Sequence, residues 1–95
     1  MRPEHGGRLE LRLASAESDR VTYELSLETR DAEGFGSATI ALAGGAIELS
    51  IADAALPGWL GDFARAVLRA LYRAHREDGA WPRRVTRWRA EPSAR

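Results

Sequence analysis

The sequence has 95 residues, of which 44% are hydrophobic, with 14 acidic and 14 basic residues and no cysteine. This length predicts a single domain, and the lack of cysteine excludes a disulfide scaffold and thiolate-based zinc sites. No run of about 18 apolar residues is present, which excludes a membrane-spanning helix. The first residues lack the apolar segment of a secretory signal, so we expect a cytoplasmic protein.

The charge is divided between the two parts of the chain. Residues 1–61 contain 5 Arg and 10 Asp or Glu, whereas residues 62–95 contain 9 Arg and 4 Asp or Glu. This division favours an acidic partner for the C-terminal third, or charge balance within one fold or between two copies. All 14 basic residues are Arg and 17 residues are Ala, a composition typical of GC-rich codons. The arginines therefore need not reflect selection for guanidinium geometry.

Four segments alternate apolar and polar residues, which is typical of half-buried strands. The first has Leu9, Leu11 and Leu13 on one side and charged residues on the other. The glycine pair at 44–45 predicts a two-residue hairpin turn, because glycine tolerates positive φ. The connections are too short for parallel crossovers and so favour an antiparallel meander. The predicted strands are residues 8–13, 21–29, 36–43 and 46–52.

Residues 57–78 have the 3.6-residue period of a long amphipathic helix. Its predicted apolar arc contains Leu60, Phe63, Ala64, Val67, Leu68, Ala70, Leu71 and Ala74. Its predicted solvent side contains Asp62, Arg65, Arg69, Arg73 and Arg76. Pro57 suits the helix start and Gly79 the position after its end. The predicted fold is α+β, with a four-stranded antiparallel meander packed on one long helix in the order ββββα.

The segment after the helix, residues 80–90, permits two interpretations. Val85 and Trp88 are three residues apart, which allows a short helix from Pro82, but the segment also fits a strand pairing with a sheet edge. We favour a short helical or irregular segment in which Trp81, Val85 and Trp88 close one end of the core. Residues 1–7 and 91–95 are expected to be flexible.

The sequence offers few residues for metal binding or catalysis. His5 and His75 are the only histidines, and no cluster of metal ligands accompanies them. No Gly-x-Ser-x-Gly motif is present, and the glutamates of the predicted strands lie on a flat, solvated sheet face rather than in a cleft. Those glutamates are Glu10, Glu24, Glu28 and Glu48. We therefore predict no enzymatic activity, no cofactor, no metal site and no small-molecule substrate.

Self-association is the function we rank first, because one sheet face is left uncovered and the acidic and basic parts of the chain complement each other. The small residues Ser37, Thr39 and Ala41 would let a second copy approach closely. We therefore predict a small interaction module that forms a homodimer. We predict no association with a membrane.

Nucleic-acid binding through the C-terminal third is the alternative hypothesis, because arginine neutralises phosphates and tryptophan stacks on unpaired bases. The same residues also fit a solvated helix face and core packing. The outer sheet face argues against binding there, since it is acidic and Phe35 is its one outward aromatic residue. The candidate residues are Arg83, Arg84, Arg87, Arg89, Trp81, Trp88, Arg69, Arg73 and Arg76.

Overall fold

A computed structural model of the chain describes residues 5–52 and 55–92. Its elements are β1 (Gly7–Ala16), β2 (Arg20–Thr29), β3 (Glu33–Ala41), β4 (Ile47–Ile51), α1 (Gly58–Asp78) and β5 (Arg84–Arg89). The strands form one antiparallel sheet in the order β4-β3-β2-β1-β5, and α1 packs on one face of it. The predicted α+β class, with its meander and single long helix, is confirmed, and a fifth strand extends the sheet.

The expected flexible ends fall largely outside the described residues. The expectations for residues 1–4 and 93–95 concern positions that the structure does not describe. Gly7, assigned to the flexible N-terminal segment, is instead the first residue of β1 and pairs with Thr29 and Arg89 on its two sides.

The core lies between α1 and the inward side of the sheet. Along β1 and β2, buried and more exposed residues alternate, as period-2 hydrophobicity predicts. The core is formed by Leu9, Leu11, Val21, Tyr23, Leu25, Leu27, Ala38, Ile40, Leu60, Ala64, Leu68, Leu71 and Val85. β1, β2 and β3 each lie between two other strands, and most of their inward side chains are buried.

Helix α1 begins and ends where the sequence predicts, within one residue. Pro57 is the extended residue before the first turn, with φ −67° and ψ 145°. Gly79 follows the last turn with φ 73°, and its N–H donates to the carbonyl of His75 at 2.7 Å, which is how glycine commonly ends a helix. In the described part of the chain, no helix combines the length and apolar character needed to cross a membrane.

The predicted apolar arc of α1 is wider than the face that the sheet covers. Ala70 and Ala74, which were assigned to the arc, are exposed, and Phe63 and Val67 are half-buried. The fully covered stripe is centred on Leu60, Ala64, Leu68 and Leu71. At about 100° per residue, the two alanines lie to one side of that stripe and extend past the contact with the sheet.

Residues 84–89 form strand β5, so the favoured helical or irregular interpretation of this segment is wrong and the strand alternative is confirmed. The strand pairs antiparallel with β1, with Val85 opposite Leu11 and Trp88 opposite Arg8. Val85 is buried and Trp81 packs against the core, as predicted. Trp88 does not close the core, because residues three apart in a strand point to opposite faces of the sheet.

The turn between β3 and β4 is longer than the predicted two-residue hairpin. The backbone N–H of Ala41 donates to Ala46 at 2.9 Å, so four residues form the loop and Leu42 lies outside the strand. Gly44 and Gly45 have φ of 91° and 77°, the positive values that the glycine pair predicts. A Cβ on Gly45 would lie 2.5 Å from the ring of Tyr72, so this position also requires glycine for close approach.

Candidate interaction surface

The sheet face turned away from α1, here called the outer face, is covered by no other element of the described chain. Successive side chains in a strand point to opposite faces, so the residues between two core residues of a strand lie on the outer face. Paired positions in neighbouring strands, such as Glu10 opposite Ser26 and Ser26 opposite Phe35, fix which residues share this face. Its residues include Arg84, Thr86, Trp88, Arg8, Glu10, Arg12, Glu24, Ser26, Glu28, Glu33, Phe35, Ser37, Thr39, Glu48 and Ser50.

Two large hydrophobic side chains are exposed on the outer face. Phe35 on β3 is 62% exposed and Trp88 on β5 is 50% exposed. Strands β1 and β2 lie between them. The sequence predicted the outward direction of Phe35 but not that of Trp88. These two rings are the largest apolar side chains that the outer face presents to solvent.

The orientation of Trp88 is fixed by residues before β1. Its Nε1–H donates to the carbonyl of His5 at 3.1 Å, and the His5 ring meets the indole edge-on with centroids 5.6 Å apart. A Cβ on Gly6 would come within 2.8 Å of the indole, so the Gly6 backbone lies against it. The tryptophan is therefore held on one side and open to solvent on the other.

Glu10 lies at the centre of a group of arginines on the outer face. Its Oε2 is 2.7 Å from Nη2 of Arg84 and 3.6 Å from Nη2 of Arg8, and its Oε1 is 4.0 Å from Nε of Arg12. Its side chain is 14% exposed. The hydrogen bond from Arg84 lowers the pKa of Glu10, partial burial opposes this, and the charges of Arg84, Arg8 and Arg12 lower it further. Glu10 is therefore ionised at neutral pH.

Glu10→Gln is expected to lower the free energy of unfolding by about 1 kcal/mol, because three arginines lose their shared anion. Because the pKa of Glu10 is lowered in the folded state, its ionised side chain stabilises the fold fully above the ordinary carboxyl pKa. This stabilisation is lost as the pH falls through the pKa of the folded state. Urea unfolding at neutral and acidic pH measures the free energy of unfolding, which should fall less steeply on acidification in the variant than in the parent. Glu48→Gln is the control, since Glu48 shares the face without an ion pair to any described residue. Equal stability of Glu10→Gln and parent at neutral pH would contradict the prediction.

The charges of the outer face are separated into two halves. The basic half, on β1 and β5, contains Arg8, Arg12, Arg84 and the shared Glu10. The acidic half, on β2, β3 and β4, contains Glu24, Glu28, Glu33 and Glu48. Arg20, the first residue of β2, adds a positive charge, but it pairs with Glu17 at 3.0 Å. The face is net acidic, as predicted, and each half also has one exposed aromatic residue.

Arginine side chains cover a backbone carbonyl at both edges of the sheet. The carbonyls of Ile47 on β4 and Thr86 on β5 point away from the neighbouring strand, because hydrogen-bonded and free positions alternate in antiparallel pairs. Arg65 Nη1 donates to Ile47 at 3.1 Å, and Arg87 Nη1 donates to Thr86 at 2.9 Å. Free edges invite pairing with other strands, so these contacts protect the edges. The sequence placed Arg65 on the solvent side of α1 and missed this contact.

The structure divides the residues predicted to bind nucleic acid. Four of the arginines and Trp88 lie together on or just before β5, and all five are exposed: Arg83, Arg84, Arg87, Arg89 and Trp88. The other three arginines, Arg69, Arg73 and Arg76, are exposed on α1 and so belong to the opposite layer. Trp81 is partly buried and lies apart from Trp88: it stacks on His75 with centroids 4.2 Å apart and meets Tyr23 edge-on.

The described residues contain no group of three or more His, Cys, Asp or Glu side chains placed to hold a metal ion. His5 contacts Trp88 and His75 contacts Trp81, so each histidine packs on a different tryptophan. Comparisons of the chain with protein-family models, with curated proteins and with solved structures find no match.

Proposed function

We propose that the protein is a small, non-enzymatic interaction module that self-associates by packing its outer face on the outer face of a second copy. The separation of charge on that face is the observation that carries the proposal. One half has Arg8, Arg12 and Arg84, the other has four glutamates, and each half adds one exposed aromatic residue. Such a surface is complementary to itself when the second copy is turned so that its acidic half lies over the basic half of the first.

A twofold axis parallel to the strands, between β1 and β2, gives that arrangement. It places β1 of one copy over β2 of the other. The pairs Arg8–Glu28 and Arg12–Glu24, 3.5 and 3.7 Å apart within each copy, then lie over the same pairs in reversed order, so each arginine can also contact a glutamate of the second copy. The axis also places β5 over β3, so that Trp88 faces the strand with Phe35. Twofold dimers are the commonest oligomers, and aligned packing is a common way for two sheets to meet.

The same face supports the non-enzymatic part of the proposal. Its carboxylates lie on an open sheet rather than in a desolvated cleft, and Glu10, Glu24 and Glu28 are paired with arginines. The lowered pKa of Glu10 disfavours the protonated form that a general acid needs at neutral pH. Carboxylates paired with arginines on an open face suit recognition of another charged surface better than proton transfer.

Phe35→Ser is expected to weaken the dimer at least tenfold, by an order-of-magnitude argument, because both copies lose the burial of an exposed aromatic ring. Light scattering over a range of protein concentrations measures the change in mass. The variant should fold like the parent, since the Phe35 side chain is mostly exposed. Raising the salt concentration should also weaken the dimer, because salt screens the complementary charges.

Val67→Ala on α1 is the control, since Val67 lies on the opposite layer from the outer face and its substitution should leave the dimer intact. A parent protein that stays monomeric at high concentration would overturn the proposal. A dimer that Phe35→Ser leaves unchanged would show that another surface forms it.

A further inference from the structure

We propose that the free edge of β5 binds single-stranded nucleic acid, with Arg83, Arg87 and Arg89 on the phosphates and Trp88 stacked on a base. This site overlaps the self-association surface proposed above at Trp88 alone, because the three arginines do not belong to the outer face. Only Trp88 takes part in both, so the two partners compete for its open side.

The arginines of this edge are free cations, unlike those of the outer face. Arg8, Arg12 and Arg84 each lie within 4.0 Å of Glu10. In the described part of the chain, Arg83, Arg87 and Arg89 are exposed and form no ion pair, and Glu91 is the one acidic residue between positions 79 and 92. Their charge is therefore available to neutralise phosphates.

The strand places the cations and the aromatic ring on the two sides of one edge. Alternate residues of a strand share a face, so Arg87 and Arg89 lie on the same side as the buried Val85, toward α1. Trp88 lies on the opposite side, toward the outer face. At about 3.3 Å per residue, Arg83 and Arg89 are about 20 Å apart along the edge. An extended polyanion along this edge can contact the arginines with its backbone while one base reaches Trp88.

Trp88 is prepared for stacking. Its Nε1–H is bonded to His5 and Gly6 lies against the ring, so the indole keeps one orientation while half of its surface stays open. Stacking on such a ring requires an unpaired base, which favours a single strand over a duplex.

The hydrogen bond from Arg87 distinguishes nucleic acid from an acidic peptide. A peptide that added to the sheet as a sixth strand would need the free backbone groups of β5. Arg87 already donates to the carbonyl of Thr86, one of those groups. Phosphates need only the cationic side chains, so a nucleic-acid strand binds without displacing this contact.

Fluorescence anisotropy of a labelled oligothymidine, titrated with the full chain at several salt concentrations, tests the proposal. Three phosphate contacts predict a slope of about −2 for log affinity against log salt, at about −0.7 per contact for single strands. Arg87→Ser/Arg89→Ser should bring the slope to about −0.7. Arg69→Ser/Arg73→Ser, which removes two exposed arginines from α1, is the matched control and should leave the slope at the parent value.

Trp88→Ala should weaken binding between about fivefold and a hundredfold without changing the salt slope, because it removes stacking and no charge. Trp88→Phe keeps an aromatic ring and should restore part of the affinity, which separates stacking from any effect on folding. Circular dichroism confirms that each variant is folded.

Three results would overturn the proposal: no anisotropy change at low salt, an equal loss of slope in the two double variants, or equal binding of polyglutamate with no effect of Trp88→Ala. The last result would assign the edge to acidic peptides. Arg87→Ser/Arg89→Ser should self-associate like the parent in light scattering, so failure here is distinguishable from failure of the dimer.

Discussion

Leu60→Ala is expected to lower the free energy of unfolding by about 2–5 kcal/mol, the largest effect of any substitution considered for this protein. Leu60 is fully buried in the first turns of α1. A Cβ on Gly7 would lie 2.6 Å from its Cδ1, so the side chain packs directly on the start of β1. Truncation leaves a cavity between helix and sheet, and a domain of this size has only about 5–15 kcal/mol in total.

Urea unfolding followed by circular dichroism measures the effect of Leu60→Ala. Val67→Ala is the matched control, because Val67 belongs to the same predicted apolar arc but is only half-buried. The control should lose about 1 kcal/mol. Equal losses in the two variants would mean that the first turns of α1 do not pack on the sheet as described.

Stability is expected to fall by about 2–3 kcal/mol between about pH 10 and about pH 12 because of Tyr23. Burial raises the pKa of Tyr23 to about 12 from its ordinary value of 10.0. Its hydroxyl donates to the carbonyl of Pro82 at 2.8 Å, in a partly buried position. In this window the folded state keeps a proton that the unfolded state has released. The stabilisation by protonated Tyr23 is therefore complete below the pKa that Tyr23 has in the unfolded state. It is lost as the pH rises through the pKa of the folded state.

Tyr23→Phe is the control for this pH dependence. It should cost about 1 kcal/mol at neutral pH through the lost hydrogen bond, and its stability should not share the fall seen in the parent. Tyr72, whose hydroxyl donates to Leu42 at 3.2 Å, is present in both proteins, so any difference between them comes from Tyr23. Unfolding free energies at several alkaline pH values measure the difference. Parallel curves for the two proteins would contradict the assignment to Tyr23.

The four-strand meander and α1 could be predicted because each has a hydrophobic period of its own. Strand β5 was predicted only as the alternative, because the spacing of Val85 and Trp88 also allows a helix that buries both side chains. The structure buries Val85 and leaves Trp88 half-exposed, held by the carbonyl of His5 at the far end of the sequence. A contact across 83 residues leaves no local signal.

The candidate surface was predictable in part for the same reason. Strand alternation identified the outward direction of Phe35 and the acidic character of the outer face. It could not place Arg65, because a helical wheel assigns a direction to the Cβ and not to the end of a long side chain. Arg65 leaves the solvent side and reaches Ile47 only because β4 is the edge strand beside α1. Similarly, hydrophobic periodicity in the sequence does not predict the stacking of Trp81 on His75.

The arginines at the two sheet edges bear on the kind of assembly that the proposed self-association would build. An assembly that grows by joining strands edge to edge has no natural end and becomes a filament. Arg65 on Ile47 and Arg87 on Thr86 mean that a joint using either of these two carbonyls would first have to displace a guanidinium group. The self-association proposed above uses the outer face instead, and a twofold pair of that kind is complete at two copies. Its expected product is a finite particle rather than a polymer.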